Sequence, residues 1–452
     1  MLTDVTYQDY LAAENQSSLL LRAVERYRRS AAFVHALEAA EYFRGRNTAV
    51  SRKTVLRACK LESRDESGRR RVRSATRDVV GNRIGSGFLF RFITQQNQFL
   101  LSNGVILRDR ETKALLGADF DRRLACLGER ALIHGVAWGY WNADHLEILE
   151  AARDRRSGFF TLPDEMTGQP MVGVQFWQLP GKRPMYLRVF ELDGVSVSRV
   201  EAGRLVPVME KRPYLITRRS DALGDELISQ GNYGRLPVIP LYANTEHQSE
   251  LTPAIKAKID AYDNILSDFA DNLDRANDVY WVLNNFGGTT DDIAEMLEEI
   301  QRIKAVATLS DGTGSSSTAE PRTIEVPYAA RRAALEVLER ALYQDYMALN
   351  MDALTGGSLT NVAIRAATAN LNLKADRYEW QVFRFMQELL VLLGVTTDEI
   401  RFQRQCIANE SETVQDIAAM RGDIDRRTAL KLNPYIQPEE SDALLSSRED
   451  GP

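Results

Sequence analysis

The sequence predicts an α+β protein, mainly helical, in which long helices carry a small α/β insert and join a larger mixed body. Three observations predict it. Residues 253–277 and 360–393 keep helical spacing without interruption, the second being the longest such run in the chain. Residues 138–240 instead fall into short β-rich runs separated by turn residues. Between the helical patterns 253–277 and 329–349 lies a stretch of strand and turn composition, 278–328. Two long helices flanking such an insert should run antiparallel and carry it at their far end.

Residues 17–44 read as one helix, with Leu20, Val24, Tyr27, Ala31, Val34 and Leu37 near helical spacing and Gly45 as a stop. Residues 60–77 are dense in charge, with Arg64, Arg69, Arg70, Arg71, Arg73 and Arg77. They read as a solvated loop or helix face, or as a contact with DNA or an acidic partner. Helices are expected at Phe88–Leu101 and Phe120–Ala137, then strands at 172–177, 186–190 and 205–209, with hairpin turns at Asp193-Gly194 and Ala202-Gly203. Thr252 suits an N-cap and Pro253 the first helical position, where a missing N–H costs nothing. The insert reads as strands at 279–283, 305–309 and 322–326 around a helix over 291–303. A glycine-bearing break at 350–358 precedes the long helix. A short strand at 400–404, helices near 412–421 and 425–430, and a polar tail follow.

Composition narrows the function. The chain has 452 residues and net charge −6, from 57 basic and 63 acidic side chains. Wholesale phosphate neutralisation is therefore excluded, and any DNA relationship must be local. Cys59, Cys126 and Cys406 show neither a disulfide framework nor metal-ligand spacing, which fits a reducing cytoplasm. No secretory signal or membrane-length apolar run is visible, so a soluble intracellular product is expected. The phosphate-loop pattern is absent, the four histidines lack metal spacing, and no nucleophilic-serine elbow occurs. His134, in an apolar helix, reads as a satisfied buried imidazole. No catalytic residue, metal site or cofactor is expected. The rival reading is a metal-dependent nucleic-acid-processing enzyme, with carboxylates around Asp291-Asp292.

The 253–277 helix carries two stripes. Tyr262, Leu266, Phe269 and Leu273 form an apolar one, which should pack helix on helix. Asp260, Asp263, Ser267, Asp271, Asp274 and Asp278 form a polar one. A solvated face accounts for the second stripe. Its one-sidedness also suits a wall past which a polyanion slides, since like charge suppresses phosphate contacts.

Several segments, in order, resemble the portal proteins of tailed bacteriophages with long non-contractile tails. They are Glu41-Tyr42-Phe43-Arg44-Gly45-Arg46-Asn47; Asn82-Arg83-Ile84-Gly85-Ser86-Gly87-Phe88 with Phe99 to Gly104; Gly234-Arg235-Leu236-Pro237-Val238-Ile239-Pro240 with Asn244 and Ser249-Glu250-Leu251; and Ser358 to Ile364 with Leu373-Lys374-Ala375. Departures are the missing glycine after a serine at 358–360, and Ser102-Asn103-Gly104 where an aromatic-Leu-Gly is common.

The resemblance implies a ring, usually of twelve copies, at one capsid vertex. Residues 1–248 would be its wing, 249–277 and 329–349 its stem, 278–328 its clip, 350–359 the channel loop, 360–405 a bridging helix and wing strand, and 406–452 the crown and tail. Asp260, Asp263, Asp271, Asp274, Asp352, Thr355 and Ser358 would line the channel. Phe286, Asp291, Asp292 and Glu295 would bind partners at the clip. Implied partners are further copies of the chain, the large terminase subunit, a head–tail adaptor, major capsid and scaffold proteins, and duplex DNA. The product would be a virion component assembled in the bacterial cytoplasm, with no membrane partner.

Overall fold

The computed structural model describes residues 4–51, 53–64, 70–181, 183–221, 224–276, 280–284, 318–322, 328–351, 360–395, 399–405, 410–422, 424–433 and 436. The architecture is α+β, and the chain forms two units. One unit comprises 1–44, 87–255 and 343–452; the other comprises 45–86 and 256–342.

The first unit opens with helices α1 (Tyr7–Ala12), α2 (Gln16–Arg29) and α3 (Ala31–Phe43). The single helix expected over 17–44 is thus broken at Ser30, which is extended (φ −67°, ψ 150°) and whose Oγ accepts from the Phe33 N–H at 3.2 Å. That serine caps α3 and resets its phase. Phe33, Ala36 and Ala39 point inward, while Val34 lies 56% exposed.

Most of this unit's sheet is a sequential antiparallel meander. Its strands run from Ala152–Asp154 through Ser157–Pro163, Pro170–Gln178, Met185–Glu191 and Gly194–Glu201 to Arg204–Arg212. Glu201 pairs with Arg204 across the expected two-residue turn at Ala202-Gly203. A three-stranded sheet places Val136–Asn142 between His145–Glu150 and the edge strand Val238–Tyr242. Pro240 suits that edge, since proline has no N–H to donate.

Tyr27, Phe33, Trp138, Phe159, Phe160 and Phe176 are all buried in the core between the first helices and these strands. Tyr27 lies 4.8 Å from Phe160 and Trp138 4.8 Å from Phe159, ring centre to ring centre. The Tyr27 hydroxyl donates to the Ala151 carbonyl at 3.1 Å, so the buried polar tip is satisfied. His134 is buried as expected. Its Nδ1 lies 3.2 Å from the Ala36 carbonyl and its Nε2 3.5 Å from Glu150.

Helix Phe120–His134 ends three residues before the expected Ala137, because Gly135 adopts φ 88°. A Cβ there would also stand 2.7 Å from the His247 carbonyl oxygen. The left-handed turn starts the strand at Val136. The longest helix, α4 (Asn361–Leu392), buries Leu371, Tyr378, Phe385 and Leu389 in this unit.

The second unit contains an antiparallel ribbon of β1 (Thr54–Arg64) and β2 (Arg70–Val80). Residues 60–64 and 70–77 of the charged stretch are therefore strand, not loop or helix. Helix α5 (Pro253–Ala276) begins in the first unit and runs into the second, and helix α6 (Tyr328–Tyr346) does the reverse. Tyr280–Asn284 pairs antiparallel with Thr318–Arg322; of the expected strand 322–326, residues 323–326 lie outside the described residues. The expected strand 305–309 and helix 291–303 lie outside the described residues. Phe269 near the end of α5 meets Tyr328 at the start of α6, 5.7 Å between ring centres, as antiparallel helices require.

Candidate functional site

Two polar clusters gather the residues that the sequence singles out. The first lies in the second unit, along α5. Segment 82–86 runs extended beside the helix and donates alternate backbone N–H groups to it. The Asn82 N–H reaches Asp271 Oδ1 at 2.8 Å, the Ile84 N–H reaches Ser267 Oγ at 3.1 Å, and the Ser86 N–H reaches Asp263 Oδ1 at 2.9 Å. The spacings explain the fit. Two extended residues advance about 6.6 Å and four helical residues about 6 Å.

Asn47 closes the end of this zipper, donating from Nδ2 to Asp263 Oδ2 and, at 3.1 Å, to the Ser86 carbonyl. The Asn82 side chain adds a second donor to Asp271 at 3.0 Å. Lys53 completes the grip, bonding the Asn264 carbonyl at 3.1 Å and Asp268 at 2.8 Å. Gly85 is required here, since a Cβ would stand 2.6 Å from the Gly45 carbonyl oxygen.

Among the described residues of the polar stripe, Asp263, Ser267 and Asp271 are therefore not a solvated face. Asp263 is 0% exposed and Asp271 4%, so neither side chain can line a bore, and that expectation is corrected. The physical reason is that they accept N–H groups of an extended segment with no strand to pair it. Burial raises the Asp263 carboxyl above its ordinary 3.8, partly offset by the Asn47 and Ser86 hydrogen bonds. Asp260 is half-buried and paired with Lys256 at 2.7 Å. Asp274 belongs to α5, but its side chain lies outside the described residues. So do Asp352, Thr355 and Ser358, and Phe286, Asp291, Asp292 and Glu295.

The apolar stripe shows the opposite. Tyr262, Leu266 and Phe269 are only partly covered, and Leu273 is 40% exposed.

The second cluster lies in the first unit. Lys374, on α4, sits 2.7 Å from Glu250 Oε2 and donates to the Tyr346 carbonyl at 2.9 Å, with its Nζ 3.2 Å from the Tyr346 ring centre. It thereby satisfies a carbonyl at the C-terminus of α6. Burial lowers the lysine's pKa, and Glu250 opposes that shift.

The Tyr346 hydroxyl donates to Gln96 Oε1 at 2.8 Å, and Gln95 holds the Leu349 backbone through both N–H (2.9 Å) and carbonyl (3.0 Å). On the far side of residues 352–359, Thr360 caps α4 and the Asn361 N–H donates to Glu412 at 2.6 Å. Both flanks of that segment are thus anchored. Sequence reasoning missed Lys53, Gln95 and Gln96, and it named Asn47 and Asn82 only within motifs, without their contacts. The available signal was a run of four consecutive amides, 95–98, inside an apolar helix.

The sequence profile of the family described as "Phage portal protein, SPP1 Gp6-like" matches residues 27–451. The chain belongs to this portal family. A portal protein of Clostridium phage phiCD119 is 23% identical over 430 residues, covering 90% of this chain and 91% of that one. The portal protein of Bacillus phage SPP1 is 29% identical over 272 residues, covering 56% of this chain and 50% of that one. Portal function follows from membership: a structural passage for the packaged genome. Nothing in these matches supports the rival nuclease reading. Among the described residues no helix is long and apolar enough to cross a membrane.

Proposed function

We propose that copies of this chain close side to side into a ring, of twelve subunits, at one capsid vertex, and that duplex DNA enters and leaves through its bore. The observation that carries ring closure is an apolar stripe on α4. Val362, Leu373, Trp380 and Val391 are 73%, 57%, 68% and 51% exposed. Their spacings of eleven, seven and eleven return to one helical face within about 20°, over roughly 43 Å. Apolar side chains aligned on one helical face, an exposed tryptophan among them, support a contact with a neighbouring copy. Cyclic closure supplies a neighbour's complementary flank to every copy. The half-covered apolar stripe of α5 is a second surface that a neighbouring helix would fill.

In this reading residues 1–248 are the wing, 249–277 and 329–349 the stem, 278–328 the clip, 350–359 the channel loop, 360–405 the bridge, and 406–452 the crown. Asp260 and Asp274, with Asp352, Thr355 and Ser358, are the candidates for the bore. Phe286, Asp291, Asp292 and Glu295 are the candidates for docking the large terminase subunit and then a head–tail adaptor. Major capsid and scaffold proteins would meet the ring during assembly in the bacterial cytoplasm. Negative-stain imaging of the purified chain, alone and with capsid partners, tests the proposal. Rings with a central hole are expected; isolated globules in both preparations would overturn it.

A further inference from the structure

We propose that the hairpin over residues 152–158 and the last turn of α2 together form a phosphate-contacting surface for duplex DNA. Asp154 pairs with Ser157, so Arg155-Arg156 is a two-residue turn between the strands Ala152–Asp154 and Ser157–Pro163. Asp154 sets that turn, its Oδ1 accepting the Arg156 N–H at 2.7 Å. Two bonds from α2 hold the hairpin and its base. The Arg28 guanidinium donates to the Arg155 carbonyl at 3.1 Å, and the Tyr27 hydroxyl donates to the Ala151 carbonyl at 3.1 Å. Arg29, Arg153, Arg155 and Arg156 are exposed, and Arg28 is half-buried. Five arginines are thereby gathered on one fixed surface.

The neighbouring carboxylates do not neutralise it. Arg29 bridges Glu25 at 3.3 Å, but the two side chains are 80% and 68% exposed, and such a pair is weak and readily exchanged. Asp154 is committed to the turn, and Arg153 has Glu150 as an electrostatic partner, which Arg130 and His134 also approach. Among the described residues neither Arg155 nor Arg156 has an ion-pair partner. Arg28 and Arg29 suit the negative end of α2, whereas the turn has no such end to answer. The chemistry favours DNA over an acidic protein surface. Every cation here is arginine, whose planar fork suits phosphate oxygens. Residues 153–157 offer no apolar or aromatic side chain, the anchors on which protein–protein hot spots depend. The choice of duplex DNA rests on the reading of the ring as its passage. With a net charge of −6 on the whole chain, such binding is local.

The test uses the full chain, its subunit number fixed by light scattering, and a short fluorescein-labelled duplex titrated at several salt concentrations. R155Q/R156Q is compared with R108Q/R110Q, which removes the same charge from exposed positions elsewhere in the same unit. Expected is a salt slope of log Kobs reduced by about 2 in the first variant, at roughly 0.9 per phosphate contact, and unchanged in the second. The single variants R155Q, R156Q and R29Q, which keep the assay usable if the double one misfolds, should each lower the slope by about 1. The proposal is overturned if the wild-type chain shows no salt-dependent binding, or if R155Q/R156Q leaves the slope unchanged. It is also overturned if R108Q/R110Q loses as much. Loss of capsid-protein capture with the DNA slope intact would assign the arginines to a protein and overturn it too. All five arginines belong to one chain, so the difference is expected in single chains and rings alike. A failure to form rings is thereby distinct from a failure of this surface.

Discussion

Asp263 shows how one buried carboxylate sets a pH dependence. Its folded pKa is raised above 3.8, so the folded state holds a proton that the unfolded chain has released. The sign follows: its contribution to stability is complete below 3.8 and is lost as pH rises through the folded value. Asp263→Asn keeps an acceptor for the Ser86 N–H but sets two amide groups against each other at Asn47. It should destabilise at neutral pH, and the deficit should widen as pH falls toward 3.8. Urea midpoints of both proteins across that range measure this, and parallel curves would contradict it. Lys374 lies on a different link of the argument, that of packing. Lys374→Met strands Glu250 in a buried site and leaves the Tyr346 carbonyl without its donor, at a cost of about 3–5 kcal/mol. Adding Glu250→Leu should restore part of that loss in a double-mutant cycle, because the second buried charge is then gone as well.

The zipper between segment 82–86 and α5 makes a testable demand on backbone chemistry rather than on side-chain identity. Ile84 contributes an N–H to Ser267, while its own side chain is 38% exposed. Ile84→Pro removes that donor and should cost about 1–3 kcal/mol, from the lost bond and the buried hydroxyl left behind. Ile84→Ala, which keeps the N–H, should cost much less. Equal thermal shifts in the two variants would argue against the zipper. This element also marks the limit of what was legible. Periodicity located α5 and α4 to within a residue or two, because long runs of helical spacing leave few alternatives. It could not say which stripe of α5 faces inward, since a carboxylate row and an apolar row predict opposite orientations and tertiary partners decide between them. The strands at 54–64 and 70–80 were illegible for a related reason: charged residues, among them Arg71, Arg73 and Arg77, break the apolar–polar alternation that marks a strand. Asn47 and Asn82 were legible as family-like motifs, but their contacts with Asp263 and Asp271, about 190–215 residues away, follow no local spacing.

For the whole molecule, the two inversions point the same way. Unit-internal bonding consumes Asp263, Ser267 and Asp271 of the polar stripe of α5, and the described surface left over includes apolar side chains that a lone chain exposes to water. Such side chains persist where burial is completed by association, which couples folding to assembly by mass action. Trp380, 68% exposed and flanked by Phe383 at 6.0 Å between ring centres, is the sharpest probe. Trp380→Glu removes no contact within the described core, so the single chain should retain its circular-dichroism spectrum. In an assembling wild-type protein the thermal midpoint should rise with concentration, because only the folded state associates. In Trp380→Glu the midpoint should be lower and independent of concentration, with light scattering reporting single chains. Asp271→Lys should behave differently. It forces a cation into a buried site built from the Asn82 N–H donors, and should lower the midpoint at every concentration, including those at which rings are absent. A concentration-independent wild-type midpoint over a range where light scattering shows rings dissolving would break the coupling. Identical behaviour of the two variants would mean that the exposed row on α4 plays no part in closure.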